Sequence, residues 1–449
     1  MTSPLALTLL GLAIIAVTVG LLLKGKTHPI VAMTLVPIVG ALLTGAGISQ
    51  ISDYYGDGLD RVMSVVVMFI FAIIYFGILS DVGLFEPVIK GLIKATRGNI
   101  VLVTLGTAAI AIVAHLDGSG STTFLLTIPA LLPLYEAMGM SRYVLLTIVA
   151  LSASVMNMLP WGGPVGRASS VIGPTPNEIW THLLPVQGVA IVLVFAVAAV
   201  FGVVERKRVA KQHASGTSVD VNAVAEDFAR TQRDERAKLD FTQRTGTWVT
   251  WANALLTVAL IGVLVSGLSA PAPAFLVGTA LLLVVNFSTL DDQGDVLRRH
   301  APTALSMAGV ILAAAMFLGI LDGTGMLEQI ALSLIKILPD SVGPYLHIIV
   351  GLLGVPLDLA TSTDAYYFSV LPIVQQTADA FGVSAMGAAS AMIVGNVIGT
   401  FVSPFSPALW LALGLAHGEM GKYIRIAFPI CWAFSVVLVL GAWTFGVFA

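Results

Sequence analysis

Charge is scarce in this chain: only 10% of its 449 residues are Asp, Glu, Lys or Arg, against about 25% in a soluble domain. With 57% apolar residues and a mean hydropathy of +0.95, too little polar surface remains to wrap a water-soluble core of this size. Cysteine is nearly absent. Cys431 stands alone, which excludes an internal disulfide and a Cys-based metal centre. The net charge of −3 comes without any basic, aromatic-interleaved patch, which argues against nucleic acid as a partner. No basic n-region or clear cleavage site flanks the first apolar run, so 5–23 is expected to be a retained span. The apolar runs are about 20 residues long rather than alternating tens, which excludes a membrane β-barrel. The expectation is an all-α polytopic protein in a lipid bilayer.

Ten long apolar runs cover 5–23, 29–47, 62–80, 143–172, 184–204, 248–268, 272–288, 303–321, 386–416 and 423–447. Each suffices for a helical span. Two further regions, 100–134 and 345–374, have a polar, Gly- or Thr-rich centre between short apolar arms. They read as re-entrant helical hairpins, an inner and an outer one. Runs 143–172 and 386–416 carry clustered Pro and Gly or Ser and read as broken helices. With both termini external and the charged stretch 205–246 cytoplasmic, 19 of the 22 basic residues fall on the cytoplasmic side, as the positive-inside rule favours.

An internal repeat organises these spans. FGILSDVGLFEPVIKGLIK at 76–94 matches LGILDGTGMLEQIALSLIK at 318–336, with Gly77 and Gly319 separated by 242 positions. LDGSGSTT at 116–123 matches LDLATSTD at 357–364. Five spans per half make the halves insert in opposite senses, so 1–204 and 247–449 are expected to be inverted repeats, a plan used by secondary transporters. Stretch 205–246 joins them. It holds 16 of the 47 charges and is expected to be a solvated, partly helical or disordered linker without chemistry. Glu86 and Glu328 repeat as well. Lys90 is placed to pair with Glu86 on one helix face, whereas the second half has Leu332 there, so neither acid enters the site.

Four interruptions hold the candidate chemistry. The inner tip offers Asp117, Ser119, Gly120, Ser121 and Thr122, and the outer tip Asp358, Thr361, Ser362, Thr363 and Asp364. Hydroxyls and free amides at restarting helices suit a carboxylate ligand. The first broken helix offers Asn157, Gly162, Gly163 and Arg167, and the second Asn396, Ser403 and Ser406. Meeting at mid-membrane, these groups can hold an anion, while carboxylates and carbonyls take a cation or proton. Acids at membrane depth are functional by default, so Asp117, Asp358 and Asp364, with Asn396, are the coupling-ion candidates. His115 reads as a packed histidine rather than a proton carrier. Two buried aspartates also suit an intramembrane aspartyl hydrolase, but no proteolytic motif accompanies them. A channel is less consistent with paired hairpins.

HLDGSGSTTFLLTIPALLPLY at 115–135, ALSASVMNMLPWGGPVGRAS at 150–169 and LDLATSTDAYYFSVLP at 357–372 closely resemble the citrate–metal–proton symporter (CitMHS) family of the ion transporter superfamily. The resemblance implies proton-coupled symport of citrate complexed to a divalent metal such as Mg²⁺ or Ca²⁺. It implies no cofactor and no dedicated metal site, the metal arriving within the substrate. It also implies a homodimer in the cytoplasmic membrane, with a fixed scaffold and a transport domain that moves as an elevator. The scaffold would include spans 29–47 and 62–80 and their second-half counterparts. Sodium-coupled dicarboxylate carriers of the superfamily have Ser-Asn-Thr at their tips. The matching positions here, Ser119–Gly120–Ser121 and Thr361–Ser362–Thr363, lack the Asn. Sodium coupling is the alternative within this class.

Overall fold

Alternating short interruptions and long apolar helices dominate the chain. A computed structural model describes residues 3–23, 27–212, 221–239, 241–339, 341–360 and 362–448. Among these there is no strand beyond an isolated bridge between Gln243 and Phe287. Among the described residues seven helices are long and apolar enough to cross a membrane, and a bent pair, Gly343–Leu352 with Gly354–Ala360, turns through 62°. Each of the ten apolar runs is built on helix, with 143–172 and 386–416 interrupted at 157–162 and 400–406. Two of them, Pro29–Leu43 and Pro271–Asn286, have only 15 and 16 helical residues. The first hairpin departs from expectation in length: its first arm, Ile100–Asp117, is an 18-residue apolar stretch that suffices for a crossing. That surplus comes from the 3-10 turn His115–Asp117, which continues the helix past Ala114.

The most extensive packing between helices joins Ile48–Asp81 and Leu290–Gly323, each 34 residues and starting and ending 242 positions apart. Both extend well before the apolar runs 62–80 and 303–321, because polar residues one helical face apart continue the helix where hydropathy alone sees a loop. They pack along each other. A Cβ on Gly58 would lie 2.2 Å from the Ala315 carbonyl oxygen, and one on Gly319 would lie 2.1 Å from that of Tyr54. Backbone therefore meets backbone at this crossing, as small residues allow between membrane helices. Polar contacts close both ends: Arg61 pairs with Asp322 at 2.7 Å, and Asp81 pairs with Arg299 at 3.1 Å and is hydrogen-bonded to His300 at 2.8 Å.

The linker corrects the expectation of a merely solvated segment. Residues 213–220 and 240 lie outside the described set, but Val221–Ala237 is a helix docked on Glu86–Ala95 and on Gly120–Ala137. Ala225, Phe228 and Ala229 form its buried face. Glu86 does not pair with Lys90. It meets Arg236 of the linker helix, while Lys90 and Lys94 both reach Glu226, at 2.7 and 2.9 Å. The contact across the interface is available to all three side chains at once, which the Glu86–Lys90 pair on one helix is not.

Candidate functional site

The first tip is built by a chain reversal that needs its own residues. After the turn His115–Asp117, Gly118 adopts φ +70°, a conformation costly to a side chain. Ser119 then caps Gly120–Ala137, its Oγ accepting the Thr122 amide at 3.3 Å. Asp117 Oδ1 accepts the Ser119 amide at 2.8 Å and so folds the turn on itself. His115 is buried and bonded on both ring nitrogens, to Thr123 Oγ1 at 2.7 Å and Asn157 Oδ1 at 3.0 Å.

The first broken helix supplies the wall. Arg142–Met156 ends at Asn157, and the chain restarts as Gly163–Ile172 with Pro164 in its first turn. Trp161 Nε1 donates to the Leu116 carbonyl at 2.7 Å, and its ring stacks on Phe76. Gly162 is required by closeness: a Cβ there would meet the Asn157 carbonyl oxygen at 2.2 Å.

The second tip differs. Gly354–Ala360 leads to Ser362, whose Oγ accepts the Ala365 amide at 3.2 Å, and then to a π-helical stretch Tyr366–Val370. Asp358 is fully buried. Its Oδ1 accepts from Asn396 Nδ2 at 3.0 Å and Thr363 Oγ1 at 3.2 Å, and Ser403 Oγ donates to its carbonyl at 2.6 Å. Among the described residues its Oδ2 has no partner, and Asn396 Oδ1 and Thr400 Oγ1 are likewise buried and unpaired. The second broken helix, Ala385–Asn396, passes through a 3-10 turn Val397–Gly399 before restarting at Pro407–Leu415. Gly399 lets it touch Asp358, since a Cβ there would be 3.0 Å from Asp358 Cβ.

The interruptions meet on one cavity of about 940 Å³. Asp117, Ser119, Gly120, Ser121 and Thr122 line it from the first tip, and Ser362, Thr363 and Asp364 from the second. Asn157, Gly163, Arg167 and Ser406 complete the wall. Gly162, Asp358, Asn396 and Ser403 stand behind it, and Thr361 lies outside the described residues. Arg167 Nε donates to Asp364 Oδ1 at 2.7 Å, joining the first broken helix to the second tip. Among the described residues no three His, Cys, Asp or Glu side chains cluster as a metal cage.

Sequence reasoning missed two parts of this cavity. Asp81, Arg299 and His300 line it from the crossed helices, and Glu235 and Arg236 from the linker. Asp81 and Asp322 stood inside the repeated block 76–94 and 318–336. At the constant offset of 242 Asp81 faces Gly323 and Asp322 faces Ser80, so the repeat carried no signal for either acid.

The model of the citrate transporter family (CitMHS) matches residues 2–395. A citrate transporter of Bacillus subtilis (strain 168) is 34% identical over 434 residues, 97% of each chain. The Mg²⁺/citrate complex secondary transporter of the same organism is 34% identical over 436 residues, again 97% of each. In fold the chain is similar to MtrF of Neisseria gonorrhoeae, at a TM-score of 0.60 and 12% identity over 96% of each chain. It is also similar to the YdaH transporter of Alcanivorax borkumensis, at a TM-score of 0.55 and 14% identity over 98% of each.

Proposed function

The chain belongs to the citrate transporter family, which makes it a multi-pass membrane transporter rather than an enzyme; from that premise we propose that it carries citrate complexed to a divalent metal ion, together with protons. The observation that carries this reading is the cavity where both tips and both helix breaks converge, presenting hydroxyls, restarting helix termini and, from the first broken helix, the Arg167 guanidinium. A relative named for the Mg²⁺/citrate complex supports the choice of cargo. Free citrate bears about three negative charges, and one divalent ion leaves a complex near −1, which is far easier to move through low dielectric. The ion arrives within the cargo, its oxygen shell largely filled by citrate itself.

Proton coupling is assigned to the second tip. The unpaired, buried Oδ2 of Asp358 is a carboxylate oxygen with no donor to stabilise its charge, so a proton is the partner that satisfies it. Thr363, on the cavity wall and bonded to the same carboxylate, marks the shortest way in. In this reading the halves 1–204 and 247–449 are inverted repeats. The crossed 34-residue helices, with Pro29–Leu43 and Pro271–Asn286, form the fixed part of a homodimer in the cytoplasmic membrane, and the tips travel as an elevator. With the linker cytoplasmic and both termini external, the cavity, which runs from the linker helix to the tips, faces the cytoplasm.

The test is uptake of labelled citrate into proteoliposomes under an inward proton gradient without Na⁺, comparing chelator with Mg²⁺, Ca²⁺, Zn²⁺ and Fe³⁺. Uptake that requires a metal and collapses with a protonophore is expected. Uptake that requires Na⁺ instead selects sodium coupling.

A further inference from the structure

Arg167 and Asp364 form the one ion pair in the cavity wall that joins a broken helix of the first half to a hairpin tip of the second. Their side chains are 12% and 16% exposed, dry enough for partner choice to matter. Each uses little of its capacity. Among the described residues Arg167 bonds only through Nε, and Asp364 accepts only at Oδ1. Nη1 lies over the first turn of its own helix, 2.5 Å from where a Cβ on Gly163 would sit. The remaining donors of the guanidinium fork and the second carboxylate oxygen are therefore left for something else.

We propose that this pair recognises a metal–carboxylate complex by exchanging partners: Arg167 takes a carboxylate of the cargo, and Asp364 takes its metal ion. The proposal rests on the reading that the cargo is metal-bound, and it deepens that reading by naming the residue that senses the metal. Charges balance, since two cation–anion pairs exist before and after. A guanidinium fork matches a carboxylate in two-point geometry, and aspartate is a hard oxygen ligand suited to Mg²⁺ or Ca²⁺. With no metal cage among the described residues, a protein carboxylate completing a shell supplied by citrate and water fits the donor set.

Specificity follows from what each incomplete cargo leaves behind. Metal-free citrate on the open donors of Arg167 stands beside the Asp364 carboxylate with no cation between them, a like-charge contact that selects against it. A hydrated metal ion alone engages Asp364 and strands a half-buried arginine. Only the complex satisfies both. Asp364 lies two residues after the capping Ser362, so releasing Arg167 removes the ion pair that ties the second tip to Gly163–Ile172.

Titration calorimetry on the purified full-length protein tests this, with Mg²⁺–citrate and with citrate plus chelator as ligands. The wild type is expected to prefer the complex. Asp364→Asn is expected to shrink that preference by about 10- to 100-fold, the range seen when a supporting metal contact is removed, while Asp364→Glu keeps it. An unchanged preference in Asp364→Asn, with the wild type still selective, overturns the exchange and leaves the cargo reading standing. A wild type that binds neither ligand, or both alike, removes the cargo reading and the proposal together. A measurement that needs no variant is pulsed EPR of Mn²⁺–citrate bound to wild-type protein labelled with ¹³C-aspartate. Coupling to a protein carboxylate carbon is expected, and its absence overturns the proposal.

Discussion

The two hairpin tips began as near-equals in sequence, LDGSGSTT against LDLATSTD, and they end as opposites. At the first, the aspartate faces the cavity and spends an oxygen on the Ser119 amide. His115 behind it is bonded on both nitrogens, and the linker helix braces the following arm. At the second, the aspartate is sealed behind the wall with one oxygen unpaired. The helix that follows runs through a π-helical stretch, a rare geometry that concentrates at functional sites. Equal residues thus hold unequal posts. The proposed function gives the coupling role to the buried acid with the unpaired oxygen, and the contrast between the tips is what tests it.

The sharpest way to break this contrast is to neutralise each acid in turn. Asp358→Asn is expected to reduce proton-driven citrate accumulation to background while citrate exchange persists. Asp117→Asn keeps an acceptor for the Ser119 amide and is expected to retain proton coupling. Proteoliposome uptake and exchange assays on both variants decide, and the reverse outcome would invert the assignment. Packing at the first tip comes next. A Cβ on Gly120 would lie 2.3 Å from the Phe401 ring, so Gly120→Ala is expected to cost about 1–3 kcal/mol by overpacking, read as a lowered unfolding temperature in detergent. A somewhat smaller loss, about 1–2 kcal/mol, is expected for Asn157→Ala, which leaves His115 Nε2 buried and unpaired. The same assay reports it.

The smallest effect belongs to the brace. Lys90 first and Lys94 second hold the Glu226 carboxyl down to about 2. A depressed pKa contributes above its ordinary value near 4.5 and is lost only as pH falls toward 2, so the clamp is constant from pH 5 to 9 (roughly the working range for such assays). Glu226→Gln is expected to leave the unfolding temperature unchanged, because the pair is exposed and solvent-screened. It should raise hydrogen exchange in Val221–Ala237 alone. Faster exchange at the second tip would show that the brace reaches further than the first half.

Much of this was legible in the residues. The apolar runs, the breaks at Pro160–Pro164 and Pro404–Pro407, and the polar tips were visible because hydropathy and Pro/Gly clustering report directly on helices and their interruption. The helix boundaries of the crossed pair were not. Residues such as Asp57, Asp295 and Arg298 carry charge on faces outside the contact, and Arg61 reaches across it to Asp322; hydropathy discards them all. The inequality of the tips was also hidden. It depends on which atom of Asp117 or Asp358 faces which donor, and on Asn396 and Gly399 arriving from some 40 residues away. Likewise Arg167 and Asp364 are 197 positions apart, and no local pattern pairs them. The linker helix was underrated because its composition alone suits solvent, while Ala225, Phe228 and Ala229 find a partner only in the fold.

The backbone crossing at Gly58 and Gly319 constrains how any motion can be geared. With the Ala315 and Tyr54 carbonyls set where side chains would otherwise stand, each helix seats a notch of the other. Sliding either by a single residue, a rise of about 1.5 Å, would drive a side-chain carbon into a carbonyl oxygen. The two long helices therefore behave as one part, an axle without axial play, and whatever stroke the carrier makes must be taken up on surfaces other than the one between them.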